Sequence, residues 1–241
     1  MEKSWNDYRR ETFFVDGMEA TLVFPDKADK DGNWALKTEY RDAFPHTEIE
    51  LLKKGFHIAF LKNRNRFATK ADCDSKAKLV HHLKENYGLC GKCYLVGMSL
   101  GGAHAVNFAG DYPQLVKGIF LDAPVLSFHS FPGKLGDKVC EEVWENEFKI
   151  AYPGVSRADL FTFDRHPINK IPVLKEHKIP VFLMYGTEDM TVDYNENGAI
   201  MELAYADSPE LLKVVPRQYQ GHHPHGFLDS CQELFEFFNI Q

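Results

Sequence analysis

Six residues, Gly97-Met98-Ser99-Leu100-Gly101-Gly102, constrain the fold of this chain more than any other stretch. They follow a short apolar run, Tyr94-Leu95-Val96, and precede a segment, Gly102 to Gly110, that can continue as a helix. A Gly-x-Ser-x-Gly between a strand and a helix is the pattern of a nucleophile elbow. The serine then occupies a sharp, strained turn, and the flanking glycines let strand and helix approach without Cβ clashes. The ordinary alternative, a serine capping a loop, does not account for a strand on one side and a helix on the other.

A serine hydroxyl is a weak nucleophile at neutral pH and needs a base, itself oriented by a carboxylate. Both are available downstream. Ile179 to Asp189 reads as a strand ending in a Gly-x-x-Asp turn, which offers Asp189. Asp193, four residues on, and Asp122, after the preceding parallel strand, are its rivals. Leu211 to Pro216 reads as the last strand and leads into Gly221-His222-His223-Pro224-His225-Gly226-Phe227. Serine, acid and histidine therefore each follow the C-terminal end of an expected strand, the edge where open α/β sheets build active sites. Counting toward a final helix at Leu234 to Phe238 favours His222 as the base, with His225 as the alternative.

At these residues the chain resembles the α/β-hydrolases. It is similar in particular to bacterial members of the prolyl-oligopeptidase-like and esterase-like branch that end in Gly-His-His-Pro-His-Gly. The resemblance runs from about Val23 to Phe238 and rests on Gly97 to Gly102, Asp122-Ala123-Pro124, Gly186 to Asp189 and Gly221 to Gly226. It implies a Ser99–His222–Asp189 triad and an oxyanion donor in the backbone N–H of Leu100. Gly-His at this loop is the usual arrangement in the family, although His-Gly-Phe also occurs in relatives. One departure concerns the second oxyanion donor: no His-Gly or His-Gly-Gly-Gly follows the early strand Ala20 to Phe24. The expected substrate is a small-molecule carboxylic ester, an acylated carbohydrate among the candidates. A small serine peptidase of prolyl-oligopeptidase type and a non-catalytic binding protein on the same fold are the alternatives.

Bulk properties narrow the field further. With 241 residues the chain suits one large α/β domain, and 44% apolar with 26% charged residues is an ordinary globular balance. A net charge of −7, without a basic run, disfavours nucleic acid, whose binding needs a cationic face. No stretch reaches the roughly 20 apolar residues of a membrane span. Met1 to Arg10 is polar and lacks the apolar core of a signal peptide, which argues for the cytoplasm. The five cysteines are an odd number and suit no disulfide framework. Cys90-Gly-Lys-Cys93 lacks the second pair a zinc site needs. Three histidines on one loop are a poor start for tetrahedral geometry, so neither metal nor cofactor is expected.

Along the chain, Thr12–Val15 and Ala20–Phe24 flank Asp16-Gly17, a strong hairpin signal. Charged loop residues run from Lys27 to Trp34. Helices are expected over Phe44–Lys54 and Ala71–Tyr87, stopped by Gly55 and Gly88. Apolar runs at Phe56–Leu61, Cys93–Val96 and Gly118–Leu121 read as buried parallel strands. The expectation is a doubly wound, mostly parallel sheet with an N-terminal antiparallel hairpin, one domain over residues 1–241. Between residues 125 and 178 the alternation pauses, and an aromatic-rich stretch reads as a small helical cap over Ser99. Lys62, Arg64 and Arg66 follow a parallel strand on the same edge, so Arg64 and Arg66 are candidates for an anionic substrate group. His104, on the elbow helix, reads as a packed residue.

Overall fold

A computed structural model describes residues 4–227 and 230–241. The hairpin forms on the Asp16-Gly17 signal. After a short β1 (Ser4–Trp5), β2 (Tyr8–Val15) pairs antiparallel with β3 (Met18–Val23), with Val15 opposite Met18. Asp16 and Gly17 have φ of 54° and 75°. That two-residue turn with both φ positive matches the twist of the strands it joins.

Beyond the hairpin the elements alternate. In order they are β4 (Trp34–Lys37), α1 (His46–Lys53), β5 (His57–Leu61), α2 (Lys70–Tyr87), β6 (Cys93–Met98), α3 (Leu100–Asp111) and β7 (Val116–Asp122). Then follow α4 (Lys138–Val143), α5 (Lys149–Ala151), α6 (Ile171–Glu176), β8 (Val181–Gly186), α7 (Gly198–Ala204), β9 (Leu212–Arg217) and α8 (Gln232–Phe238). The described residues form a nine-stranded sheet in the order β1-β2-β3-β5-β4-β6-β7-β8-β9. Pairing is antiparallel up to β3–β5 and parallel from β4 to β9.

Strand residues alternate between two cores, as the two-residue period of a strand requires. Leu36, Leu95, Ile119, Leu121 and Leu183 pack beneath α2, α3, α6 and α7. Ala35, Val96, Phe120, Phe182 and Met184 face α1 and α8 on the other side. Gly88, at φ 67°, closes α2 in the left-handed conformation.

One strand was not expected. The sequence places Trp34 at the end of a charged loop, but Trp34–Lys37 is β4, buried on both faces between β5 and β6. Its charged end hides it in the sequence. Lys37 is fully buried, and Glu48 of α1 lies 3.1 Å away to compensate it.

The segment between β7 and β8 holds α4, α5, α6, a π-helical turn at Trp144–Phe148 and two 3₁₀ turns. Its aromatic residues Phe128, Phe131, Trp144 and Phe148 pack with Phe67, Leu100 and Val192. Those three come from the loop after β5, the start of α3 and the loop after β8, so the segment lies over the C-terminal edge of the sheet. Tyr152 donates a 2.9 Å hydrogen bond to the Phe67 carbonyl and ties the two layers. Among the described residues, no helix is long and apolar enough to cross a membrane.

Candidate active site

Ser99 sits between β6 and α3 with φ 51° and ψ −124°, a conformation that side-chain-bearing residues rarely adopt. The surrounding backbone holds it there. Its N–H donates to the Asp122 carbonyl (3.0 Å), and its carbonyl accepts from Val125 and Gly102 (2.9 Å each). The glycines are needed for space. A Cβ on Gly97 would lie 2.7 Å from the Gly101 oxygen, and one on Gly102 would lie 2.3 Å from the Pro124 side chain. Leu100 opens the helix, so its N–H has no acceptor one turn back and points out of the helix start beside the serine.

Three sequence-distant side chains meet here. His222 Nε2 lies 3.1 Å from Ser99 Oγ, and His222 Nδ1 lies 2.7 Å from Asp189 Oδ2. The other Asp189 oxygen accepts from the N–H groups of Thr191 (2.8 Å) and Val192 (2.9 Å). Burial opposes the Asp189 charge, but the bonds from His222, Val192 and Thr191 outweigh it and hold the carboxyl below its usual range. An ionised carboxylate can only accept, so Nδ1 carries the imidazole proton and Nε2 presents its lone pair to the serine.

The rival residues have other partners. Asp193 accepts from the Asn195 N–H (2.7 Å) and caps the turn before α7. Asp122 is buried against Arg217 at 2.7 Å and accepts from the Gly226 N–H. His225 Nδ1 is 3.3 Å from the same Asp122 carboxylate. Arg217 also donates to the Pro224 carbonyl. His225 and Asp122 thus belong to a buried clamp on the histidine loop, while His222 reaches the serine. The run from this loop to α8 includes Leu228 and Asp229, which lie outside the described residues.

The expected anion site has a different character. Arg66 grips Glu147 with Nε (2.6 Å) and a second nitrogen. Arg64 bonds the Ser75 hydroxyl (2.6 Å) and contacts Asp16 (3.3 Å). Both guanidinium groups are held by acceptors of the chain itself, because the loop after β5 is pinned to α2 and to the helical segment above. Lys62 is exposed on the rim of a neighbouring cleft. His104 is fully buried, with Lys76 Nζ 3.1 Å from its Nδ1. Burial, then the Lys76 charge, hold it far below the usual imidazole range. Cys90 and Cys93 are both free thiols.

Tyr40 belongs to this site too, although no motif in the sequence marks it. It follows β4, the unexpected strand, and adopts φ 56°. The loop is fastened to the elbow through Thr38, whose hydroxyl lies 2.7 Å from the Gly101 carbonyl. Asn63 also donates to the Thr38 carbonyl at 2.7 Å. The Tyr40 phenol faces the Ser99 hydroxyl, and Arg66 stands 3.4 Å from its oxygen. Burial raises its pKa against the opposing Arg66 charge, so it is a proton donor at neutral pH. A cleft of about 420 Å³ opens beside it, lined by polar side chains that include Thr21, Glu39, Arg41 and Asn63. A smaller one of about 180 Å³ adjoins Asp189, with Phe131, Val139 and Met190 in its walls.

Solved structures share this architecture. Dipeptidyl peptidase 4 of Porphyromonas gingivalis superposes with a TM-score of 0.68 at 13% identity, over 97% of this chain and 36% of that one. S-Formylglutathione hydrolase from Agrobacterium tumefaciens gives 0.66 at 13% identity, over 96% and 94%. The chain has the α/β-hydrolase fold. Pyrococcus horikoshii acylaminoacyl peptidase shares that fold, with a TM-score of 0.67 at 13% identity over 89% of this chain and 37% of that one. The chain thus spans about a third of the length of the two peptidases and nearly all of the formylglutathione hydrolase. No protein-family model and no curated protein matches it by sequence. In this α/β-hydrolase fold, Ser99, Asp189 and His222 lie just beyond the C-terminal ends of β6, β8 and β9, in the order serine, acid, histidine that the fold favours.

Proposed function

We propose that the chain is a serine hydrolase that cleaves a carboxylic ester through an acyl-enzyme. The observation that carries this reading is the unbroken hydrogen-bonded line from Ser99 through His222 to Asp189, at 3.1 and 2.7 Å. Ser99 Oγ attacks the ester carbonyl while His222 Nε2 takes its proton. The ionised Asp189 fixes the tautomer and stabilises the imidazolium that forms. His222 then returns the proton to the leaving alkoxide. Water, deprotonated by the same imidazole, releases the acid.

The oxyanion needs donors aimed at where charge develops. The Leu100 N–H at the start of α3 is one, and the Tyr40 hydroxyl is the second. Arg66 beside that phenol favours negative charge at the same spot. Each such donor lowers the barrier by about 3 kcal/mol.

The aromatic segment of residues 125–178 acts as a cap within the single domain and walls the acyl side with Phe131 and Val139. The polar cleft beyond Tyr40 suits a hydroxyl-rich alcohol, so an acylated carbohydrate is the substrate class we favour. The near-complete mutual overlap with S-formylglutathione hydrolase, against about a third of the peptidases' length, supports a small acyl substrate over a peptide. A fluorophosphonate probe tests the reading: it should label the wild type once, and Ser99→Ala should neither label nor hydrolyse p-nitrophenyl esters while melting normally. Retention of more than a few per cent of turnover by that variant removes Ser99 from the mechanism. Cleavage of aminoacyl anilides in preference to esters would replace esterase with peptidase.

A further inference from the structure

The histidine loop does more than supply a base. Ligand nitrogens of His222, His223 and His225 all lie within 4.8 Å of one another. Their rings form a corner, with centroids 4.8–5.0 Å apart and interplanar angles of 69°, 83° and 89°. Mutually perpendicular rings can direct three lone pairs to a common point, which parallel stacking prevents. His225 is buried, at 4% exposure, with the Asp122 carboxylate 3.3 Å behind its Nδ1, which leaves its Nε2 as the ligand atom. His223 is exposed and stacks on Phe44 at 5.6 Å, so one ligand is open to an incoming ion. His222 donates its other nitrogen to Asp189. A carboxylate behind the imidazole is the support that metal-bound histidines usually have.

We propose that His222, His223 and His225 bind a divalent transition metal ion of the Zn²⁺ class, and that the bound ion switches the hydrolytic site off. Imidazole nitrogens select such ions over Mg²⁺ and Ca²⁺, which take oxygen ligands. Tetrahedral Zn–N bonds of about 2.0–2.1 Å bring donor nitrogens to roughly 3.3 Å. Small side-chain rotations, freest at the exposed His223, close the remaining gap, and a water completes the shell. The ion takes the lone pair of His222 Nε2, the same pair that accepts the Ser99 proton. Metal and general base therefore exclude each other. The inhibitory half of this inference rests on the serine chemistry proposed above; the binding half does not.

The test is calorimetric titration of the whole chain with ZnCl₂, paired with fluorophosphonate labelling at matched ion concentrations. One ion should bind per chain. His223→Gln should label normally without metal, yet weaken zinc binding by more than about a hundredfold, beyond what loss of an outer-shell partner costs. Ser99→Ala should bind zinc at least as well as the wild type, since the serine competes for His222. Labelling should slow in step with occupancy, recover on chelation and ignore MgCl₂. Absence of saturable zinc binding, or unchanged affinity in His223→Gln, overturns the site. Saturable binding with undiminished labelling overturns the switch. Zinc binding in a protein that never labels would refute the serine reading and leave the metal site standing.

Discussion

Two aspartates compete for one histidine loop, and exchanging each for asparagine separates their roles. Asp122 faces Arg217 with both side chains almost fully buried, and it accepts from the Gly226 N–H. Asp122→Asn keeps one oxygen acceptor but leaves the guanidinium buried without a counter-charge. Breaking one side of a buried ion pair costs about 3–5 kcal/mol, and the surviving acceptor argues for the low end. For a domain of this size 1 kcal/mol moves Tm by about 2–4 °C, so a loss of about 6–12 °C is expected. The loop carrying His222 should loosen too, with turnover falling by no more than about a hundredfold. Asp189→Asn should do the reverse. Its remaining oxygen can still accept from Thr191 and Val192, so the stability cost should stay near 1.5–3 kcal/mol, about one hydrogen bond to a charged group. The imidazole, however, loses the partner that fixes its tautomer, and kcat should fall about ten-thousand-fold. Thermal unfolding and ester kinetics on the two variants, at one pH, give all four numbers. If Asp122→Asn abolishes turnover at an unchanged Tm while Asp189→Asn stays active, the acid assignment is reversed and the reasoning fails.

Other expectations follow from the same geometry. Tyr40→Phe should lower kcat by about 10²–10³ with little change in KM or Tm, as loss of one oxyanion donor does; a loss under tenfold in steady-state kinetics excludes the phenol from that role. Gly102→Ala pushes a methyl to 2.3 Å from the Pro124 side chain, so thermal melts should show at least the 1–3 kcal/mol typical of overpacking; a Tm within 1 °C of the wild type, a margin of about 0.5 kcal/mol, would show that the elbow is not tight. His57, His104 and His166 all have imidazole pKa values held below normal, chiefly by burial. The unfolded chain therefore binds more protons below about pH 6.5, and stability should fall with pH by at most about 1.4 kcal/mol per unit for each. Denaturant titrations at pH 7 and 5 should show a shallower loss in His104→Asn; an equal loss would remove His104 from the acid sensitivity.

Much of the fold was legible because its signals are local. Asp16-Gly17 dictates a hairpin turn on its own, and Gly88 stops α2 wherever that helix packs. Much of the elbow is equally self-contained: a Cβ on Gly97 would meet Gly101 and one on Gly102 would meet Pro124, all within the β6–α3–β7 unit. The acid was legible to the extent of three candidates, since Asp122, Asp189 and Asp193 all follow parallel strands or their turns. What separates them is non-local. The partner of Asp122 is Arg217, 95 residues on, and the cap role of Asp193 is visible only once the turn before α7 exists. Likewise, His222 and His225 differ little in sequence, and the burial of His225 against Asp122 distinguishes them.

The missing piece, β4, shows why charge misleads a reader of strands. Trp34-Ala35-Leu36-Lys37 is too short and too charged at its end to announce a central strand, yet it lies between β5 and β6 with all four residues buried. Lys37 is tolerated because Glu48 arrives from α1, a compensation eleven positions away and invisible to any strand pattern. The consequence reaches the chemistry. A search for an oxyanion motif after Ala20–Phe24 examines a hairpin strand at the wrong side of the sheet. The loop beside the elbow is the one after β4, where Thr38 bonds the elbow backbone and Tyr40 faces Ser99. A side-chain donor also needs no glycine motif, because the phenol reaches the site from a distance that a backbone N–H must close with bare backbone. The absence of His-Gly after β4 is therefore what the proposed tyrosine donor leads one to expect, and the same strand that concealed itself in the sequence carries that tyrosine.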